Sequence, residues 1–319
     1  MHLVTYRKGR GAPRLGVLLA HASGEVVLDA IGVAADLAAE RGAVRRGRGD
    51  LPHSMQGLIE AGPTALAILQ EAVSHGSRIL AREGVEALHA RKLGSPRGRV
   101  HLEAPIPRPA RNVFCLGRNY AEHAAERGAE VPTDPVYFTK PPECVIGPGG
   151  EVAYHAVTKE LDYEVELAAV IGRGGRGIAR GDALAHVFGY TVINDVTARD
   201  LQKRHGQWFK GKSLDTFCPM GPVLVTAEEI PDPQALSITL RVNGETRQRS
   251  HTSKMIFPVA QCIEVLSHGF TLRPGDVIAT GTPDGVGAVT GRFLQVGDTV
   301  EAEVERVGIL TNTVVAPTA

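Results

Sequence analysis

The stretch Asp162-Tyr163-Glu164-Val165-Glu166-Leu167-Ala168-Ala169-Val170-Ile171-Gly172 decides the fold. Its continuation, LAAVIG, is strongly β-forming, and a strand puts Glu164 and Glu166, two residues apart, on one face. Two carboxylates that close repel, and facing an interior each would cost several kcal/mol without a counter-charge. A cation removes that cost. A strand end with one solvated polar face explains the same spacing equally well.

A third carboxylate, Asp195, ends the apolar run Gly189-Tyr-Thr-Val-Ile-Asn-Asp195 where it turns polar. It suits a ligand at a strand end, and equally a helix N-cap for the segment Val196 to Leu201. An all-oxygen set with no Cys or His beside it favours a hard ion, Mg²⁺, Mn²⁺ or Ca²⁺, over zinc.

Upstream, LGVLLA and EVVLDA flank His21-Ala22-Ser23-Gly24 as a β-hairpin, so the chain opens with sheet. From Leu28 to Leu93 the spacing turns helical, broken at Gly62-Pro63 with Thr64 as an N-cap. Pro105, Pro107 and Pro109 then suit a stiff connection, which places a domain boundary near residue 106. Beyond it, short strands alternate with Gly/Pro turns. The run SITLRVNGETRQRS carries Asn243-Gly244 between alternating residues, a hairpin signal, and Phe257 to His268 is the main amphipathic helix. The pattern predicts a mostly β, α+β fold with a small α+β domain over 1–106 and a larger β-rich domain over 107–319.

Gly172-Arg-Gly174-Gly-Arg-Gly177 satisfies GxGxxG after a strand. A dinucleotide-binding first strand should be almost wholly apolar, and this one carries two acids, so the glycines read as a loop. Asn119 to Gly128 reads as a short helix with Asn119 as N-cap and Glu122 at the capping-box position. His123 and Glu126 are then neighbours, either a surface ion pair or a dyad able to deprotonate water. Arg118, Lys140 and Lys212 are flanked by turn or strand residues and could grip a carboxylate. Thr280 to Gly287 is a glycine-rich turn, structural or able to offer N–H groups to an anion.

Thirty-five basic and 35 acidic side chains among 319 residues leave no overall field for nucleic acid or an anionic membrane. Leu15 to Ala20 is too short for a signal core or a spanning helix, so a cytoplasmic protein is expected. Four scattered cysteines without a CxxC pair argue against a zinc knuckle or disulfide framework.

Taken in order, GRNYAEH, FTKPP, DYEVELAAVIG, GYTVINDVTARDLQ, QWFKGKSLDTFCPMGP, VNGE and ATGTPDGVG resemble the fumarylacetoacetate hydrolase family over about residues 110–305. The resemblance implies a mixed β-roll catalytic domain, a homodimer, and Mg²⁺ or Mn²⁺ on Glu164, Glu166 and Asp195. It implies that His123 and Glu126 activate water and that Lys212 acts at the reacting centre. Arg118, Lys140, Gln202 and Thr282 then contact a small 2-oxo acid. The implied chemistry is C–C hydrolysis of an acylpyruvate or related β-diketo acid, such as those of aromatic breakdown, through an enolate that the metal stabilises. Oxaloacetate decarboxylation, or isomerisation or hydration of a 2-oxo-dienoate, are the alternatives. Keto–enol isomerisation fits the same site.

Overall fold

The computed structural model describes residues 1–42, 51–122 and 132–316. Val165–Ile171 is a strand whose every residue is buried, and Glu166 is its one charged member. In chain order the strands are β1 (His2–Arg7), β2 (Arg14–Leu19), β3 (Val26–Asp29), β4 (Gly94–Pro96), β5 (His101–Leu102), β6 (Val113–Gly117) and β7 (Val136–Lys140). They continue as β8 (Val145–Ile146), β9 (Glu151–Ala153), β10 (Leu161–Asp162), β11 (Val165–Ile171), β12 (Val187–Asn194), β13 (Thr197–Ala198) and β14 (Cys218–Thr226). The last are β15 (Ser237–Val242), β16 (Glu245–His251), β17 (Val277–Ala279), β18 (Thr299–Val304) and β19 (Gly308–Val315). Among the described residues the α-helices are α1 (Ala30–Glu40), α2 (Met55–Ala90), α3 (Arg199–Arg204), α4 (Phe209–Lys212), α5 (Val259–Ser267) and α6 (Gly287–Thr290).

The main sheet runs β4-β3-β2-β1-β14-β12-β11-β17-β6-β7, and a second runs β16-β15-β18-β19-β9. Most neighbours are antiparallel, but β17 with β6 and β19 with β9 are parallel, which makes both sheets mixed. The fold is α+β and mostly β. On one face of β11, Val165, Leu167, Ala169 and Ile171 pack with Ile238, Leu240, Ala302 and Leu310 of the second sheet. On the other, Ala168 and Val170 pack with Met55, Leu58 and Ile59 of α2. With both faces covered, the central strands need no polar alternation.

Residues 103–112, which include the expected boundary at 106, carry neither helix nor strand. The sheet nonetheless runs across that boundary, because β1 pairs with β14 as well as β2. Sequence reading began the sheet at Arg14 and missed β1. Four consecutive residues of β1 are buried, so it lacks the alternation that marks a half-exposed strand.

In α2, Gly62 leaves the helical region (φ 71°, ψ −154°) at the expected break. Pro63 therefore opens the next helical run, where its missing N–H costs nothing, and Thr64 lies inside the helix and does not cap it. Asn243 and Gly244 both have positive φ (52° and 78°), the two-residue turn that joins β15 to β16. Four of the six N–H groups of the Gly172–Gly177 loop are spent on backbone carbonyls of the protein. Gly172 and Arg173 donate to His186, Gly175 to Leu272 and Gly177 to Ser267. No helix opens at its last glycine, so the segment is a structural loop.

Candidate active site

Register assembles the carboxylates. β11 and β12 pair with Val165 opposite Asn194 and Glu166 opposite Ile193, and beyond that ladder the Asp195 N–H donates to the Glu164 carbonyl at 2.8 Å. Glu164, Glu166 and Asp195 are all buried, with carboxylate oxygens within 4.8 Å of one another. Asp195 caps no helix: α3 begins four residues later, with Ala198 at its N-cap.

Among the described residues, three cations face this cluster. The Lys140 ammonium, fully buried, donates to Asp195 and to the Val196 carbonyl. Lys212 donates to Glu164 (2.8 Å) and Asp195 (2.7 Å). Arg199 donates to Glu164 (2.5 Å) and, through Nε, to Asp162 (2.7 Å). Burial alone would lower the Lys140 pKa, but the Asp195 carboxylate more than offsets it and the net shift is upward. One acid is left over. Glu166 Oε2 accepts the Gly281 N–H at 2.7 Å, while its buried Oε1 has no partner among the described residues.

An orphaned carboxylate oxygen beside two further acids fits a hard divalent cation, for which an unpartnered anionic oxygen is a ready ligand. Glu164, Glu166 and Asp195 would hold it. Burial, with the charges of Asp195 and Glu164 added, pushes the Glu166 carboxyl well above its ordinary value. Without a metal, then, Glu166 keeps its proton over a window above the normal carboxylate range, and an incoming ion must displace it. Mn²⁺ binding is expected to release a proton and to strengthen as pH rises through that window. Across the same window the metal-free fold loses stability with rising pH, because the folded state binds the extra proton. Calorimetry of Mn²⁺ binding in buffers of different ionisation enthalpy measures the proton. A pH-independent affinity with no release would contradict the Glu166 assignment.

A cleft opens beside the cluster, walled by Leu116, Arg118, Phe138, Gln202, Trp208 and Thr282, with Glu164, Arg199 and Lys212 in its floor. Phe138 and Trp208 meet edge to face at 5.4 Å, and the Arg118 guanidinium lies over the indole at 5.7 Å. Gly117 is what admits the indole: a Cβ there would stand 2.2 Å from its ring. Gly281 is equally constrained, with φ +93° and a Cβ position 2.7 Å from Asn119. Its turn does offer N–H groups to anions, and these are the protein's own: Gly281 serves Glu166, and Gly287 and Ala288 serve Asp162.

Of the residues singled out from sequence, Arg118, Glu164, Gln202, Lys212 and Thr282 line this one cleft. Glu166, Asp195 and Lys140 sit buried around its floor. His123 and Glu126 lie outside the described residues. Asn119 is no helix cap. Its buried amide donates to the Phe257 and Thr280 carbonyls and accepts the Phe257 N–H, tying β6 to two distant loops. Sequence reading missed Arg199, Asp162 and Trp208. Arg199 was within reach, since it precedes Gln202 by three residues and shares its helix face, with Nη1 donating to the Gln202 side-chain Oε1 at 3.2 Å.

Such a fold and site define a metal-dependent enzyme. A family model described as fumarylacetoacetate (FAA) hydrolase, C-terminal, matches residues 112–315, and the chain belongs to that family. An oxaloacetate tautomerase, YisK, from Bacillus subtilis (strain 168) is 48% identical over 256 residues, covering 76% of this chain and 85% of that protein. Among solved structures, a fumarylacetoacetate hydrolase from Exiguobacterium antarcticum superposes with a TM-score of 0.77 at 37% identity, covering 99% of this chain and 100% of that one. A fumarylpyruvate hydrolase from Pseudomonas aeruginosa, in complex with Mn²⁺ and pyruvate, gives 0.61 at 39% identity over 66% of this chain and 91% of that one. Among the described residues no helix is long and apolar enough to cross a membrane.

Proposed function

We propose that this chain interconverts the keto and enol forms of a small 2-oxo dicarboxylate of the oxaloacetate type, with a divalent metal. One observation carries the reading: a proton-bearing ammonium, Lys212, bridges Glu164 and Asp195 in the floor of a cleft that also holds Arg199 and Arg118. The likeness to the Bacillus subtilis tautomerase supports it. A divalent ion on Glu164, Glu166 and Asp195 would supply Lewis acidity, drawing charge from the 2-oxo group and so acidifying the adjacent C3–H.

Arg199 from the floor and Gln202 from the wall offer N–H donors to the carboxylate next to the 2-oxo group. Arg118, over the Trp208 ring, is the cation offered to the distal carboxylate, while Lys203 in the same wall is paired with Glu160 at 3.1 Å. Lys212 moves the proton. From enol to keto it delivers a proton to C3, the enol O–H proton leaves to water, and water reprotonates the amine; the reverse direction retraces these steps. Phe138 and Trp208 limit water on one side.

Hydrolysis of an acylpyruvate is the second reading, favoured by the likeness to the Pseudomonas enzyme. It needs an activated water, the role expected of His123 and Glu126. Enol-oxaloacetate decay and acylpyruvate cleavage, each followed with Mn²⁺, with Mg²⁺ and with EDTA, separate the two. Oxaloacetate decarboxylation and 2-oxo-dienoate isomerisation belong in the same panel. Enol decay no faster than with metal ion alone, alongside cleavage of an acylpyruvate, would replace the first reading with the second.

A further inference from the structure

Gln248, on β16, is buried at 1% exposure and reaches across to the site. Its Oε1 accepts the N–H of Val165, the residue between Glu164 and Glu166, at 3.1 Å. Its Nε2 donates to the Pro283 carbonyl (2.9 Å) and to the Thr282 hydroxyl oxygen (2.9 Å). The amide cannot be turned over. A backbone N–H only donates and a carbonyl only accepts, so the Val165 and Pro283 contacts each fix which end is oxygen and which is nitrogen.

That orientation dictates the polarity of Thr282. The hydroxyl has one hydrogen, and its oxygen already receives an N–H from Gln248. The hydrogen must go elsewhere, and the hydroxyl donates to none of the described residues, while Thr282 lines the cleft. We infer that Gln248 is a positioning residue that locks the Thr282 hydroxyl as a donor aimed into the cleft, so that it selects ligands presenting an anionic oxygen there. An acceptor-only side chain at 248 would capture that hydrogen and present the ligand with lone pairs.

The inference rests on the proposed binding of 2-oxo acids, and its test reads binding directly. Pyruvate is titrated into Mn²⁺-loaded protein by calorimetry, in wild type, Gln248→Met, Gln248→Glu, Thr282→Val and the double variant Gln248→Met/Thr282→Val, with thermal unfolding of each. Loss of one hydrogen bond to a charged ligand corresponds to about 10- to 100-fold in affinity. Gln248→Met should lose part of this, because the hydroxyl is no longer held. Gln248→Glu should lose as much as Thr282→Val, because the hydroxyl is reversed. In the Thr282→Val background Gln248→Met should cost less than about 2-fold further, the non-additivity of a residue acting through another. A merely structural glutamine would weaken pyruvate equally in both backgrounds, and that result, or wild-type affinity in Gln248→Glu, overturns the inference. Absence of pyruvate binding in Mn²⁺-loaded wild type would instead remove the proposed function, and the polarity argument with it.

Discussion

Asp195→Asn is expected to weaken Mn²⁺ binding more than about 10²-fold, since altering only the groups behind a metal ligand already costs 10- to 100-fold. It should also destabilise the metal-free protein by about 3–5 kcal/mol, the cost of removing one partner from a buried ion pair. Asp195 is fully buried and serves two ammonium groups, so its loss leaves Lys212 with Glu164 alone and Lys140 with only the Val196 carbonyl. Glu166→Gln should lose Mn²⁺ to the same degree with a different effect on the fold. Glu166 accepts a single N–H, has an unpartnered oxygen and is already driven toward its neutral form, so a neutral amide should change metal-free stability by no more than about 1 kcal/mol. Calorimetry with Mn²⁺ and unfolding with and without it decide the matter. A stability loss in Asp195→Asn no larger than in Glu166→Gln would overturn this asymmetry, and unchanged Mn²⁺ affinity in both would remove the metal assignment.

This asymmetry between two neighbouring acids was not legible in the sequence, although their presence was. Glu164 and Glu166 announce themselves through a period of two in an apolar strand, and Asp195 through an abrupt polar end to another. Those are local signals. The partners are not local: Lys140 and Asp195 lie 55 residues apart, and Gln248 and Val165 lie 83 apart. Only strand pairing brings them together. Arg118, Lys140 and Lys212 could be picked out as cations without a solvated helix face, but which would bury itself under Asp195 and which would line the cleft depended on the register of β11 and β12. The same limit hid β1, whose burial on both faces erases the alternation that would mark it. Asn119 shows the opposite failure. Its position before a helical pattern is a sound capping signal, but the tertiary contacts to Phe257 and Thr280 outcompete the local one.

Lys212→Met should lower kcat for keto–enol interconversion by about 10²- to 10⁴-fold, the range for losing a positioned acid–base group. Methionine keeps the length and apolar contact of the stem, which matters because the Lys212 side chain is almost wholly buried and its ammonium lies 5.1 Å from the centre of the Phe138 ring. Mn²⁺ affinity should hold or rise, since the variant removes a cation that competes for Glu164 and Asp195. That result also serves as a check that the carboxylates remain in place. Grip and proton transfer are separated by Lys212→Arg, which retains the positive charge but cannot give up its proton. If Lys212 moves the proton, Lys212→Arg should bind pyruvate near wild-type strength yet turn over as poorly as Lys212→Met, and exchange of C3 hydrogens with deuterated water should fall in parallel. If the lysine only holds the substrate's charge, the arginine variant should recover most of the turnover, and the loss in Lys212→Met should shrink to the roughly 2 kcal/mol of a charge-assisted hydrogen bond. Recovery of both turnover and C3 exchange by arginine would therefore shift the proton-moving role away from Lys212 while leaving the metal centre and the cleft as they are.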